Sequence, residues 1–432
     1  MPRVNRTAVA MAHAFALAMP LAAAAQPGIR EGTWTPLPDL PEPISNNAVT
    51  SVDHGDGTWS VYTFMGMTPP GLGPNSTVAS YRLDWSETDG PLGPWVPIAD
   101  APLLNNRAKV AASAVTAAGA VYLIGGYTTL GLSEVTEERL FRYEPATDTY
   151  TELAPVPTEV DDTVPAVYRD RYIYLISGWH GPINDNTTAV QLYDTQTNTW
   201  QQATPIPGPE DGLFGHAGGI IEDQTSGTLV FIDGTTSAGS FNISNAVYTG
   251  RIDPSDPTSI AWTEQPAHPG RPTYRAAAAL TTTPNNKLLI VGGTDNPYNL
   301  SGVGYNRVFS TPLDQALAYD AATNTWTRHT LTGRPATMDH RNLAPLGDGF
   351  VIVGGMFEPI PTSAQMTPTA WRLTIDPCRA DFDSSGTIDG NDLTLWYAAF
   401  LAGEERADQN GDGLVNPSDY FALVVRAGRG CL

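Results

Sequence analysis

Between Gly32 and Ile375 the sequence contains no cysteine; the two in the chain, Cys378 and Cys431, bracket a short acidic tail. That absence excludes disulfide staples and thiolate metal sites from most of the molecule. Basic residues are also scarce, 23 against 45 acidic ones, which leaves a formal net charge of −22. A general nucleic-acid or anionic-membrane binder needs a positive surface, so both classes are excluded, and cation binding is favoured. No H-E-x-x-H, G-x-S-x-G or phosphate-loop pattern occurs, and the histidines stand singly, so no catalytic or metal cluster is read from spacing. After the N-terminal stretch no apolar run is long enough to span a bilayer.

What is abundant is glycine (41) and proline (37), beside 41% hydrophobic residues in 432. This composition suits many short strands joined by turns, and the length exceeds one small domain. The N-terminus reads as an export signal: basic "MPRVNR", then apolar "TAVAMAHAFALAMPLA", then small residues at Ala23 and Ala25 before Gln26. Cleavage there makes residues 1–25 a signal peptide and the protein secreted or cell-surface, with no membrane span in the mature chain. An uncleaved anchor is the alternative.

The middle of the chain repeats. Apolar strands end in glycine at "VYTFMG" (61–66), "VYLIGG" (121–126), "IYLISG" (173–178), "LVFIDG" (229–234), "LLIVGG" (288–293) and "FVIVGG" (350–355). A second mark follows: two aromatics seven residues apart flanking a turn, as in "FRYEPATDTYTELAPVP" (141–157), "QLYDTQTNTWQQATPIP" (191–207) and "LAYDAATNTWTRHTLTG" (317–333). Asp, Asn and Thr in those turns offer side-chain hydrogen bonds to the backbone. A small-residue strand such as "AKVAASAV" (108–115) or "RAAAALT" (275–281) precedes each apolar one, giving four strands per unit. Small residues suit a crowded centre, and apolar residues on both faces of the second strand suit stacking between sheets. The pattern predicts a β-propeller, whose radial repetition leaves only short edges.

These motifs resemble the kelch repeat over residues 32–376. The last unit reaches Trp371 and stops without a fourth strand, whereas "GTWTPLPDLP" (32–41) precedes the first unit and matches a fourth strand. Closing the ring with that segment gives six blades, rather than seven, with Trp34 as the last blade's aromatic. The propeller domain is set at 26–376. The kelch resemblance does not select a function, since such propellers include oxidases, sugar-acid epimerases and binding platforms. The copper oxidases use a cysteine-crosslinked tyrosine, and the cysteine-free propeller excludes that cofactor.

Loops entering the first strand of each blade should converge on one mouth of the axis. They carry Asn46, Asn47, Arg107, Asp161, Asp162, His216, Arg275 and Asp339 to Arg341. Tyr127, Trp179, His180, Asp295 and Phe357, after the glycines, should open on the same face. Polar groups beside aromatics suit a small ligand or sugar. Arg107, Asp162, His180, His216, Arg275 and Arg341 are the candidate ligand-binding residues, and the arginines suggest an acidic sugar. Asp161, Asp162, His180 and His216 would supply acid/base chemistry if there is any. The competing reading is that these residues cap blades and pair with neighbours, Arg275 with Asp295 and Arg107 with an adjacent acid.

The tail holds two segments offset by 27 residues, "DFDSSGTIDGND" (381–392) and "DQNGDGLVNPSD" (408–419). Both place oxygen side chains at positions 1, 3, 5, 9 and 12: Asp381, Asp383, Ser385, Asp389 and Asp392, then Asp408, Asn410, Asp412, Asn416 and Asp419. Glycine stands at position 6 and a hydrophobe, Ile388 or Val415, at position 8. Thr387 and Leu414, at position 7, would supply backbone carbonyls. This is a layout for a hard cation with six to eight oxygen ligands, hence two calcium ions. A helix should follow each loop, with Leu393, Trp396, Tyr397 and Phe400 on one face of the first, and Tyr420, Leu423 and Val424 on the equivalent face of the second.

An EF-hand loop ends in Glu. The terminal Asp in both loops, and the duplication, resemble the dockerin family across about residues 378–432, and the module is set at 377–432. That resemblance implies a calcium-folded module docking on a cohesin-like scaffold protein, with Gly390, Asn391, Pro417 and Ser418 as partner-selecting positions. A dockerin-like class of secreted proteins ends in Gly-Cys, as this chain does in "GRGCL", which implies a Cys378–Cys431 disulfide; surface attachment through Cys431 is the alternative. The whole reads as an all-β six-bladed kelch-type propeller followed by a small α-helical, EF-hand-like calcium module. The expected function is extracellular recognition of carbohydrate or protein. An extracellular carbohydrate-active enzyme, such as a sugar-acid epimerase or a polysaccharide-degrading enzyme, and a structural surface protein are the alternatives.

Overall fold

The computed structural model describes residues 30–429 except 70–74, 131–132, 184, 224, 238–240, 281–286, 361–362, 376–379, 383–387, 405–406, 408 and 410–413. The chain divides into two compact units, the first built on residues 29–377 and the second on the remainder of the C-terminal segment.

Six four-stranded blades make up the first unit. Blade 1 runs Ala48–Asp53, Thr58–Met67, Ser76–Ser86 and Val96–Ile98; blade 2 runs Val110–Ala117, Ala120–Leu130, Leu140–Glu144 and Thr149–Glu152. Blade 3 is Val164–Tyr168, Tyr172–Ile176, Val190–Asp194 and Thr199–Ala203, and blade 4 is Ala217–Glu222, Gly227–Ile232, Val247–Asp253 and Asp256–Gln265. Blade 5 holds Ala277–Leu280, Leu288–Val291, Ala316–Asp320 and Thr325–Thr332. Blade 6 holds Ala344–Leu346, Gly349–Val353 and Ala370–Ile375, and its fourth strand is the N-terminal Arg30–Leu37. That strand pairs antiparallel with Ala370–Ile375, setting Trp34 opposite Leu373, so the two ends of the ring close on each other as the repeat pattern predicts.

The second strand of each blade explains its apolar run. Side chains alternate across a strand, so both faces of a stacked sheet are buried. In blade 2, Val121 and Leu123 pack with blade 1, while Tyr122 and Ile124 pack with blade 3. In blade 3, Ile173 and Leu175 face blade 2, and Tyr174 and Ile176 face blade 4. Each neighbouring pair of blades shares such a cluster, and the core is a ring of wedges.

The paired aromatics are stitches between blades. Tyr143, Tyr193 and Tyr319 each donate a hydroxyl to the Asp or Asn five residues on, at 2.8–2.9 Å, and those turn residues are left-handed. The second aromatic of each pair lies about 5 Å from the first, and in blades 2 and 3, as with Trp262 in blade 4, its polar tip reaches back, whereas Trp326 Nε1 finds no partner among the described residues. Tyr150 donates to Ala99 O, Trp200 to Ala154 O and Trp262 to Thr204 O, each ending on the segment that closes the preceding blade.

In the C-terminal unit, α1 (Gly390–Ala402) and α2 (Ser418–Arg429) each follow one of the two tail segments. Trp396, Ala399 and Leu423 are buried together with Ala380 and Ala407, and Ile388, Leu393, Phe400, Val415 and Tyr420 pack around them. The face expected of α1 is the packed one. On α2, Tyr420 and Leu423 turn inward, but Val424 is exposed with Phe421 and Val425. The expected domain boundary at 376–377, Cys378, Cys431 and residues 1–25 lie outside the described residues.

Candidate functional site

The glycines that end each second strand position the mouth. The final glycine of the six motifs has φ from +77° to +139°. A Cβ on Gly66, Gly126 or Gly178 would sit 2.7–2.8 Å from a backbone oxygen of the loop entering the first strand. Only glycine permits that approach. The residue before it is also left-handed in every blade, yet is Met65, Ser177 or Asp233 in three of them, so across the six blades only the second position is always glycine; in blades 2 and 6 a Cβ on Gly125 or Gly354 would also meet a backbone oxygen, at 2.2 and 2.4 Å. Immediately beyond, each chain pairs with the entering loop: Ser45 with Met67, Val110 with Tyr127, Asp161 with Trp179, Phe214 with Thr235, Tyr274 with Thr294 and Met338 with Met356.

The next residue in each entering loop is left-handed: Asn46, Ala111, Asp162, Gly215, Arg275 and Asp339, with φ between +48° and +70°. Their backbones form a hydrogen-bonded ring. The N–H groups of Ala111, Asp162, Gly215 and Arg275 donate to the carbonyls of Asn46, Ala111, Asp162 and Gly215 in turn, at 2.7–3.4 Å. Asn46 N–H donates to Asp339 O, and the last link is displaced by one residue, from His340 N–H to Arg275 O. Six loops thus meet edge to edge, and their six ring positions hold five residue types, with aspartate twice. At Gly215 a Cβ would strike the Tyr274 ring at 2.1 Å.

Arg275 is the hub. Its guanidinium donates to Asp162 Oδ2 at 2.7 Å, Asp339 Oδ1 at 3.2 Å and Asn299 O at 2.7 Å, and lies against the Tyr274 and Tyr298 rings. Arg341 approaches Asp162 Oδ1 at 2.8 Å and Asp339 Oδ1 at 3.5 Å, and also donates to Asn46 Oδ1. All four charged side chains are at most 5% exposed. Burial alone would raise Asp162, but Arg275 and Arg341 hold it below the usual carboxylate range. Asp161, beside it, is pushed well above that range by burial and by the Asp162 and Glu134 carboxylates. The two neighbouring carboxyls are therefore driven apart, with Asp161 the more readily protonated of the pair.

Above this floor opens a cavity of 520 Å³ whose lining includes Asp161, Asp162, Arg275, Glu134, Trp179 and Phe214. Tyr127, Asn299, Phe241 and Tyr305 complete its chemistry. Asn299 ties two blades together: its amide donates to Glu134 Oε1 at 2.7 Å and its oxygen accepts from Tyr127 Oη at 3.0 Å. Thr136 Oγ1 donates to Asp161 Oδ2 at 3.3 Å.

Of the candidate residues, Asp162 and Arg275 line the cavity and Arg341 lies beneath it. Arg107 falls four residues short of the equivalent position, Ala111; it is exposed and donates to Thr129 O. His180 is turned onto Glu159, with Nδ1 2.9 Å from its carbonyl. His216 is buried, donates Nε2–H to Ile176 O at 2.8 Å, and is lowered to about 4 by burial, which keeps it neutral. The four acid/base candidates therefore do not converge on one reacting position. Asp295 pairs with exposed Arg271, not with Arg275, and the acids that Arg275 meets lie 113 and 64 residues away in the chain. Sequence reasoning missed Glu134, Phe241, Asn299 and Tyr305. For Asn299 and Tyr305 the signal is loop length, since the segment from Gly293 to Gln315 is the long polar-aromatic insert of blade 5; Glu134 and Phe241 sit in the corresponding inserts of blades 2 and 4.

In the C-terminal unit the described ligand candidates are Asp381, Asp389, Asp392, Leu414, Asn416 and Asp419; Asp383, Ser385, Thr387, Asp408, Asn410 and Asp412 lie outside the described residues. The two loop ends have the same local geometry. Asp392 Oδ2 accepts from Asp389 N–H and Asp419 Oδ2 from Asn416 N–H, both at 2.8 Å. Asp389 Oδ1 accepts from Asn391 N–H and Asn416 Oδ1 from Ser418 N–H. Asp392 and Asp419 are both fully buried. Among the described residues no three His, Cys, Asp or Glu side chains form a metal-binding group, and no helix is long and apolar enough to cross a membrane.

No family model matches the chain. The Kelch-like protein terF of Aspergillus terreus is 28% identical over 292 residues, which is 64% of this chain and 54% of that protein. Kelch-like protein 23 of Homo sapiens is 30% identical over 191 residues, 42% of this chain and 32% of the relative. The chain thus spans about half the length of the first and a third of the second. The solved structure of YjhT superposes with a TM-score of 0.56 at 16% identity, covering 79% of this chain and 99% of that one. The repeats are kelch-like and the fold is a six-bladed propeller.

Proposed function

We propose that this chain is an exported recognition protein. Its propeller mouth binds a carbohydrate or protein-borne ligand, and its C-terminal module docks it, with calcium, onto a surface scaffold of the cohesin kind. The observation that carries the first part is the aromatic-walled cavity above four buried, interlocked charges. A buried ion-pair network contributes little net stability, and here Arg275 Nε, Arg341 Nε and Asp339 Oδ2 have no hydrogen-bond partner among the described residues. Such a cluster suits orientation of a ligand better than support of a fold that its inter-blade wedges already hold. The histidines that would move protons point elsewhere, which favours binding over turnover.

The second part rests on the donor set. Each tail segment carries five oxygen side chains at calcium-loop positions, and each ends in a buried aspartate that starts a helix. Asp381, Asp389, Asp392, Asn416 and Asp419 would hold the ions together with their undescribed counterparts, and a cation would offset the mutual repulsion of those carboxylates. The likeness to Kelch-like proteins supports a binding propeller. Export is inferred from the N-terminal sequence. The test is a screen of the full-length chain against a glycan and peptide panel, with analysis for product. Binding that is lost in Arg275→Met supports recognition. Turnover would move the assignment to a carbohydrate-active enzyme, and no binding at all would leave a structural surface protein.

A further inference from the structure

We propose that the mouth cavity selects a small organic cation, an ammonium or guanidinium group, over an acidic sugar. The inference rests on reading the mouth as a recognition site and specifies its chemistry.

The first argument is charge balance. Arginines at the mouth suggest an anion from sequence, but both buried guanidinium groups are matched in place: Arg275 and Arg341 against Asp162 and Asp339. Two further carboxylates line the cavity, Asp161 and Glu134. Glu134 meets the neutral Asn299 amide and Asp161 the neutral Thr136 hydroxyl, and neither belongs to any ion pair among the described residues. Glu134 therefore faces the cavity as a carboxylate with no cation to match it, and Asp161 as a second acid that a nearby cation can ionise, so an incoming carboxylate is opposed and an incoming cation is balanced.

The second argument is the wall. Trp179, Phe214, Phe241 and Tyr305 form one connected aromatic surface, with ring centroids 5.4 Å apart for Trp179–Phe214, 5.9 Å for Phe214–Phe241 and 3.9 Å for Phe241–Tyr305. The π faces of such rings attract cations and repel anions, and they also stack on the apolar face of a sugar or an alkyl stem. The cavity volume of 520 Å³ admits one molecule of sugar or amino-acid size. The chain's net charge of −22 adds long-range attraction of the same sign.

Asp161 supplies a signature. It faces Asp162 on its own loop, Glu134 and Thr136 from blade 2, and Arg275 and Arg341 from blades 5 and 6. Burial and the neighbouring Asp162 and Glu134 carboxylates push it toward the protonated form, and a cation beside it favours the ionised form, so binding should release protons.

The experiment is calorimetric titration of the full-length chain at pH 7 and low salt with glucosamine, agmatine, glucose and glucuronate, repeated in two buffers of different ionisation enthalpy. Glucosamine or agmatine should bind at least ten-fold more tightly than glucose, and glucuronate more weakly than glucose. Preference between the two amines tells an amino sugar from a basic side chain. Glu134→Gln keeps an acceptor for Asn299 and should weaken the amine at least ten-fold with an unchanged melting curve. Asp161→Asn should abolish the proton release. Glucuronate binding as tightly as glucosamine, or an unchanged amine affinity in Glu134→Gln, overturns the cation preference while leaving recognition at the mouth intact. If none of the four probes binds, the cation preference falls and the glycan and peptide panel alone decides recognition.

Discussion

Replacing Arg275 by Met tests whether the ring of loops is held by charge. Methionine matches the stem in length and keeps the apolar contact with Tyr274 and Tyr298, so the change removes the guanidinium with little loss of packing. Asp162 and Asp339 would then share Arg341 alone. Breaking a buried pair from one side costs about 3–5 kcal/mol. Because Arg341 keeps its 2.8 Å approach to Asp162, the low end, about 3 kcal/mol, is expected. A unit of roughly 350 residues at about 2.1 cal/mol/K per residue has an unfolding entropy near 0.7 kcal/mol/K, so Tm should fall by about 4 °C. Adding Asp162→Asn restores one cation to one carboxylate and should recover more than half of the loss. Differential scanning fluorimetry of the two single variants and the double variant measures this. A fall below about 1 °C for Arg275→Met, or additive losses in the double variant, would refute the network as drawn.

Asp161 is a pH reporter. Its folded value lies above the unfolded one, so the folded state binds more protons over that interval, and stability falls as pH rises from about 4. Asp161→Asn removes that dependence. Its Tm should match the parent near pH 4 and exceed it at pH 8, and the reverse order would be fatal to the assignment. Gly126→Ala sets a Cβ 2.7 Å from Val110 O at φ +84° and should cost at least about 2 kcal/mol. Gly55→Ala, with φ +75° but open space around it, should cost about 1 kcal/mol by the same melting assay. Trp200→Phe loses the donor to Ala154 O and should cost about 1 kcal/mol. The full chain should take up two calcium ions in a chelator-controlled titration, and Asp419→Asn should reduce that to one; two in the variant would remove Asp419 from the ligand set.

The blades were legible because their marks are local. An apolar strand needs both faces buried, a turn aspartate or asparagine answers a tyrosine five residues away, and a glycine is required wherever the entering loop crosses the strand end. Each requirement falls within one repeat and selects a residue type, so six units and the closing strand at Trp34 could be counted. The two helices that follow the tail segments were legible for the same reason. The ring at the mouth was only partly so. What its six positions share is a backbone conformation, and Asn, Ala, Asp, Gly, Arg and Asp all adopt it. With no common side chain to align, Arg107 was placed where Ala111 belongs.

By itself, then, the sequence determined the repeat, the ring closure and the surplus of negative charge, because short-range packing and turn chemistry write these into each unit. The tertiary structure decided which charges meet. Arg275 lies nearer in sequence to Asp295 than to Asp162 or Asp339, yet the propeller carries loops from three blades to one axis and assigns it the distant pair. That assignment turns apparent anion-binding arginines into neutralised struts and leaves Glu134 and Asp161 facing the cavity. Electrostatic preference depends on distance in space, and no spacing along a chain supplies it.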